Sequence, residues 1–502
     1  MSPIHRPGRR AFLGTLGAGL ALGAAPELLA REPHLPLAWR PARQTRRIRG
    51  TVTGDGRPLA RVAVSDGLRV AVTDRDGRYD LEADPEMPGI FVSTPAGYAL
   101  PVTGDGTLAQ HRWLAPGVDR IDFALHRAAH DDSRHAFVAL ADTQTLDMED
   151  LGLLHAETVP AVQATLAALA GRDLFGVAIG DIMFDHLELY PEYERAVRRM
   201  GVPFAQVVGN HDLDMRAETD TDSTRTFSRH FGPAWYSFNR GAVHYVVLDN
   251  VLWHGSGYIG HLGHEQLAWL AQDLALVEPG APVVVFVHIP LESTTAVRNE
   301  IANDTTFKMT NAAALWRLLE PFDALVLTGH THEMEHIQHG PRAHEHNLAT
   351  ACGAWWTGPI CYDGVPGGFG VYEVDGTDIR WRYQATGLAP DAAMRVYPVG
   401  SEPTAPGELV ANVWDWDPAW TVTWYEGADR RGVMARRLGR DPLSVRLHSG
   451  PDLPRKHGWV DPIVTGHLFY APVAPEHGPL RVEAIDRFGQ VRSAVPEALP
   501  PL

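Results

Sequence analysis

From Arg134 onward, short apolar runs alternate with amphipathic stretches, and this rhythm limits the architecture more than any other feature of the chain. The runs HAFVALA, LFGVAI, PFAQVV, AVHYVVL, APVVVFV and DALVLT are strand-like. Between them, PAVQATLAALAG, YPEYERAVRRM, HEQLAWLAQDLALV and TNAAALWRLLE carry apolar residues at i, i+3 and i+4, the period of a helix with one buried face. Strands alternating with helices predict a layered α/β domain, here over residues 134–387. Pro160 suits the first turn of its helix, where no amide hydrogen is needed.

Nearly every run ends in polar residues of a particular kind. ALA precedes Asp142-Thr143-Gln144; GVAI precedes Gly180-Asp181, with Asp185 four positions on; QVV precedes Gly209-Asn210-His211-Asp212. VVFV precedes His288, and LVLT precedes Gly329-His330-Thr331-His332. Ligands of an open α/β sheet bind at the carboxyl ends of its strands, so these segments are expected to converge at one rim. A cluster of Asp, Asn, His and Gln delivered to one spot has the chemistry of a metal site.

In this order the motifs resemble those of the calcineurin-like metallophosphoesterase family, whose pattern runs D-x-H, GD-x-x-D, GNH-[DE], H, GH-x-H. The resemblance covers roughly residues 134–385, and the flanking segments are similar to the N- and C-terminal modules of one bacterial branch. It implies a layered α/β catalytic domain that hydrolyses phosphomonoesters or phosphodiesters with two divalent metal ions, Mn, Fe, Zn or Mg. It further implies that Asp181 bridges the ions, that Asp142, Gln144 and His332 complete one site, and that Asn210, His288 and His330 complete the other. A bridging hydroxide would attack phosphorus, His211 would protonate the leaving oxygen, and Asp212 would orient His211.

Two positions depart from that pattern. Gln144 stands where histidine is common, and a neutral oxygen ligand tilts its site from Zn²⁺ toward harder ions. GDIMFD carries one extra residue, which leaves Asp185 as support for the ligands. The stretch HEMEH from His332 also reads as H-E-x-x-H, a zinc-protease signature. That reading needs a long helix, whereas a β-branched strand ends at Gly329 and Gly340-Pro341 would stop any helix soon after.

The remaining segments are read from composition and turn chemistry. RPGRRAFLGTLGAGLALGAAPELLA, with Arg9-Arg10 ahead of a glycine-broken apolar run, reads as a twin-arginine export signal over residues 1–30, followed by a linker at 31–46. The product is expected to be periplasmic or extracellular, with no membrane span once the signal is removed. Short β-branched runs with Asp-Gly turns predict an N-terminal β-sandwich over 47–127, resembling carboxypeptidase-regulatory or transthyretin-like sandwiches, and a second β domain over 394–500. A net charge of −17 argues against nucleic-acid binding, which needs a basic footprint. Two divalent ions and two carboxylates would still leave a centre of about +2 to draw a phosphate.

Cys352 and Cys361 read as buried thiols, although export would permit a disulfide. Trp355, Trp356 and Tyr362 come after the last ligand strand and are candidates for the pocket wall. The histidines His254, His261, His264, His336, His339, His344 and His346 read mostly as loop residues. The pairs Trp414/Trp416 and Trp420/Trp424 suit core packing, or else a sugar platform. Gln144 and these tryptophans motivate a rival from another class, an exported glycan- or envelope-binding protein with a degenerate metal site. Retention of Asn210, His211, His288, His330 and His332 speaks against it.

Overall fold

The computed structural model describes residues 45–499 except 303, 450–452 and 455. The expected signal segment and nearly all of the expected linker lie outside the described residues. Two mixed β-sheets form the centre. One has five strands in the order Phe204–Val207, Asp173–Ile179, Arg134–Leu140, Gly368–Asp375, Asp378–Ala385, the first three parallel. The other has six, in the order Tyr236–Arg240, Val243–Val247, Pro282–Phe286, Asp323–Thr328, Ala343–Asn347, Glu335–Gln338, with the middle four parallel.

The layered α/β arrangement expected from the alternation is built on two sheets, joined face to face by an aromatic core. Phe137 and Phe175 of the first meet Tyr245 of the second edge-on at 5.7 and 5.2 Å, and Phe137 meets Phe286 at 5.7 Å. Edge-to-face rings gain from their quadrupoles beyond the area they bury. Helices cover the outside. Tyr190–Met200 starts with proline in its first turn, buries Tyr190, Tyr193, Ala196, Val197 and Met200, and ends at Gly201 with φ 81°. That left-handed cap is available to glycine at little cost.

The N-terminal module packs two small sheets around Ile48, Val52, Tyr79, Leu81 and Phe123. It is fastened to the centre by Trp269 Nε1, which donates to Ser65 Oγ at 3.0 Å, and by Trp235 Nε1, which donates to the Gly67 carbonyl at 2.9 Å. The C-terminal module pairs two four-stranded sheets around Val396, Leu409, Val422 and Val482.

The tryptophans of the C-terminal module are spent on packing. Trp414 is buried in the main core, Trp416 lies under Arg436 at 4.2 Å, and Trp420 and Trp424 pack against the module's own core. A free sugar platform is thus not what they form. Cys352 and Cys361 are both buried and unbonded to each other. No helix among the described residues is long and apolar enough to cross a membrane.

Candidate metal centre

The five-stranded sheet sends Asp142, Gln144, Asp181, Asn210 and His211 from the loops after its three parallel strands; the six-stranded sheet sends His288, His330 and His332. The candidate residues meet where the two sheets end together. Close approach explains two of the glycines that precede them. A Cβ on Gly209 would lie 2.0 Å from the Asp181 amide nitrogen, and one on Gly329 would lie 2.4 Å from Asp142 Oδ2.

The backbone is bent hard here. Asp142, Gln144, Asp181, Asp185, His330 and His332 have φ of 47°, 35°, 47°, 65°, 71° and 53°. Left-handed backbone at non-glycine residues costs on the order of 1–3 kcal/mol each and persists where surrounding structure enforces it.

Each of the three imidazoles is tied by one ring nitrogen to a backbone carbonyl; the other nitrogen faces a carboxylate in His288 and His332 and faces His288 in His330. His288 Nδ1 lies 2.9 Å from the Ile179 oxygen, and its Nε2 lies 3.2 Å from Asp181 Oδ1 and 3.1 Å from Asn210 Oδ1. His330 Nε2 lies 2.6 Å from the Thr306 oxygen, with Nδ1 3.2 Å from His288 Nε2. His332 Nδ1 lies 3.3 Å from the Gly353 oxygen, with Nε2 3.5 Å from Asp142 Oδ1. Donation from one nitrogen to a carbonyl fixes the tautomer and frees the other lone pair, the usual support of a metal-bound histidine.

Ligand atoms of Asp181, His288 and His330 all lie within 4.8 Å of one another. Gln144 Nε2 reaches Asp181 Oδ2 at 3.3 Å, and its Oε1 is buried with no protein partner. Hard and borderline donors, convergent lone pairs and an orphaned amide oxygen fit divalent cations. The electrostatics agree. Burial opposes charge on Asp181, yet the imidazoles of His288 and His211 hold its carboxyl below the usual range. Burial likewise opposes charge on His288, but Asp181 pushes it up to about 9, the mark of a pocket that attracts positive charge. Burial, then His288, pushes His330 down to about 4, which keeps it neutral.

His211 is held differently from the expectation. Its backbone N–H donates to Asp181 Oδ1 at 2.8 Å, and its Nδ1 lies 2.7 Å from Asp185 Oδ1, so Asp185 is the carboxylate that orients it. Asp212, expected in that role, is turned inward. It accepts from the amides of Ile182 at 3.1 Å and Gly209 at 2.9 Å and from Tyr190 Oη at 3.1 Å, tying together the loops that carry Asp181 and Asn210. The capping geometry of the single turn Asn210–Asp212 takes its third residue for the backbone, which leaves the ring to a carboxylate from the neighbouring loop. Asp185 was visible in the sequence; the carbonyls of Ile179, Thr306 and Gly353 carry no sequence signal at all.

The H-E-x-x-H parse fails physically. His332 sits in a bend, residues Glu335–Gln338 form a strand, and His336 Nε2 is bound to Asp415 Oδ1 of the C-terminal module at 2.7 Å. Glu333 is buried in a pair with Arg298 at 2.6 Å. Of the histidines expected in loops, His336, His344 and His346 lie on paired strands, His336 opposite His346, and His264 opens a helix. Of the expected wall residues, Trp355 stacks on His332 at 4.1 Å, Trp356 Nε1 donates to the Thr143 carbonyl at 2.9 Å, and the Tyr362 hydroxyl donates to the Thr331 carbonyl.

Comparison with known proteins yields three family models on successive stretches: N terminal of Calcineurin-like phosphoesterase over residues 46–128, Calcineurin-like phosphoesterase over 135–334, and C terminal of Calcineurin-like phosphoesterase over 345–491. A probable cyclic nucleotide phosphodiesterase of Psychrobacter sp. (strain PRwf-1) is 28% identical over 169 residues, 31% of this chain and 46% of that protein. A serine/threonine-protein phosphatase of Homo sapiens is 29% identical over 145 residues, 27% of this chain and 45% of that protein. The chain thus spans under half the length of these curated relatives. A dimetal phosphatase from Danio rerio aligns with 50% of this chain and 97% of its own, at 15% identity and a TM-score of 0.35.

Proposed function

Because the chain belongs to the calcineurin-like phosphoesterase family, with that family's N- and C-terminal modules, we propose that it hydrolyses phosphate esters at a centre of two divalent cations. The reading is carried by three imidazoles, each anchored to a backbone carbonyl: the other nitrogens of His288 and His332 face Asp181 and Asp142, and that of His330 faces His288 within the same cluster. Asp181 would be shared between two half-sites, with Asp142, Gln144 and His332 on one side and Asn210, His288 and His330 on the other. When bound, the ions supply a hydroxide nucleophile at neutral pH and offset charge on the phosphate oxygens.

The chain's own part is to position and to move a proton. Asp185 holds His211 Nδ1 and leaves Nε2 for the leaving oxygen. Burial works against charge on His211, but Asp181 and Asp185 raise its pKa overall, which suits a proton donor. Monoesters and diesters are both within reach, and the curated relatives include one of each by name. Gln144 favours Mn²⁺, Fe or Mg²⁺ over Zn²⁺. We further propose export through the Arg9-Arg10 segment to the periplasm or beyond. Arg9→Lys with Arg10→Lys should leave the protein in the cytoplasmic fraction, and normal export of that variant would refute the route.

The test is release of nitrophenol from nitrophenyl phosphate and bis-nitrophenyl phosphate across Mn²⁺, Fe, Zn²⁺ and Mg²⁺, with metal content measured in parallel. No turnover with any of them would overturn the proposal. His211→Ala should lower kcat on alkyl phosphates by about 10²–10⁴ and on nitrophenyl esters much less, because a good leaving group needs no proton. Asp185→Asn should show the same split at about tenfold, with KM little changed. Equal losses on both ester types would remove His211 from the proton-donor role.

A further inference from the structure

An arc of rings joins the two sides of the candidate centre. His211 stacks on Phe184 with centroids 4.5 Å apart, Phe184 meets His457 at 5.3 Å, and His457 meets Trp459 at 5.7 Å and Trp355 at 6.4 Å. Trp355 and Trp459 pack edge-on at 4.6 Å, and Trp355 lies flat on His332 at 4.1 Å. Both ends of the arc are thus residues of the site, while its middle, His457 and Trp459, comes from the C-terminal module.

Core packing does not account for it. Trp459 is 59% exposed and Trp355 only half-buried, so the arc presents ring surface to solvent beside the polar cluster of the candidate centre. Trp355, Trp356 and His457 also have left-handed φ of 52°, 59° and 55°, conformations that bulky residues keep only under constraint. The constraint is visible. Lys456 binds Asp147 at 3.0 Å and also Asp150, both at the start of the helix Met148–Leu153, and Trp356 is bonded to the loop that carries Asp142 and Gln144. The wall and the ligands are fastened to one another.

We propose that this arc is the leaving-group subsite, and that it selects esters whose leaving group carries a flat aromatic ring. The inference builds on the phosphoesterase reading. It rests on where the arc begins: a ring joined to the oxygen that His211 protonates would run along Phe184 and His457 to Trp459. Stacking on an indole favours flat π-faces over saturated rings of equal size.

The test uses phosphonates, which are not hydrolysed, bound to the metal-loaded full-length protein and followed by titration calorimetry. The wild type should bind phenylphosphonate about tenfold more tightly than methylphosphonate or cyclohexylphosphonate. Trp459→Ala should bring the phenyl-to-methyl ratio close to one, and Trp459→Phe should restore most of it; because Trp459 is exposed, neither change threatens folding. Equal wild-type affinities for the three probes, or a ratio that survives Trp459→Ala, would overturn the assignment. Cyclohexylphosphonate binding as tightly as the phenyl probe would reduce the arc to a general apolar wall and refute aromatic selection. Since nothing is turned over, this outcome is independent of whether nitrophenyl esters are hydrolysed.

Discussion

Asp181→Asn should cost about three orders of magnitude or more in turnover of bis-nitrophenyl phosphate and lower the metal bound per chain. In the proposed centre the Asp181 carboxylate would face both half-sites. Its Oδ1 meets the His211 amide at 2.8 Å and His288 Nε2 at 3.2 Å, and its Oδ2 meets Gln144 at 3.3 Å. Asparagine keeps the shape but removes a negative charge and one of the two oxygens, so the proposed half-sites would lose the anion they share. Loss of fold is not the cause expected, and an unchanged circular dichroism spectrum would show it. Wild-type turnover with wild-type metal content would rule out the bridging role.

Arg240→Ala should give the largest loss of stability, about 3–5 kcal/mol, in urea unfolding. Arg240 is 1% exposed at the end of strand Tyr236–Arg240. Its guanidinium reaches Asp173 of the five-stranded sheet, Asp132 at 3.7 Å just before the central domain, and the Tyr98 carbonyl of the N-terminal module. One buried cation thus joins both sheets and a flanking module, at the end of strand Asp173–Ile179 remote from Asp181. Removing it leaves two carboxylates in a site too dry to hold them alone. Arg240→Met, which keeps the apolar stem, should lose a comparable amount, because the cost lies in the orphaned anions. A loss below about 1 kcal/mol in both variants would show that water or protonation relieves them.

The candidate ligands were legible because each comes directly after an apolar strand, and strand ends are where a layered fold gathers polar groups. The partition of those strands between two sheets was not. A run such as VVVFV is buried on both sides whether its neighbour is a helix or another sheet, so its pattern carries no record of the partner. The exchange of roles between Asp212 and Asp185 was hidden for a different reason. The resemblance implies that Asp212 orients His211, but a tight turn points successive side chains apart, and Asp212 is taken by the backbone amides of Ile182 and Gly209. The strand positions of His336 and His346 leave no trace in the sequence, because polar strands at a domain boundary lose their alternation. His336 faces Asp415, a residue of another module, and no local pattern announces that partner.

The division of the candidate ligands between two sheets has a mechanical corollary. Asp142, Gln144, Asp181 and Asn210 belong to one layer of the sandwich and His288, His330 and His332 to the other, so an ion shared among them would rivet the layers at their rim. Any ion that binds the native chain alone stabilises it by mass action, about 4 kcal/mol at a thousandfold excess over its dissociation constant, and so raises its melting temperature. Thermal shift against a series of cations would then rank their affinities without a substrate, and EDTA should loosen the rim of the sandwich before its aromatic middle.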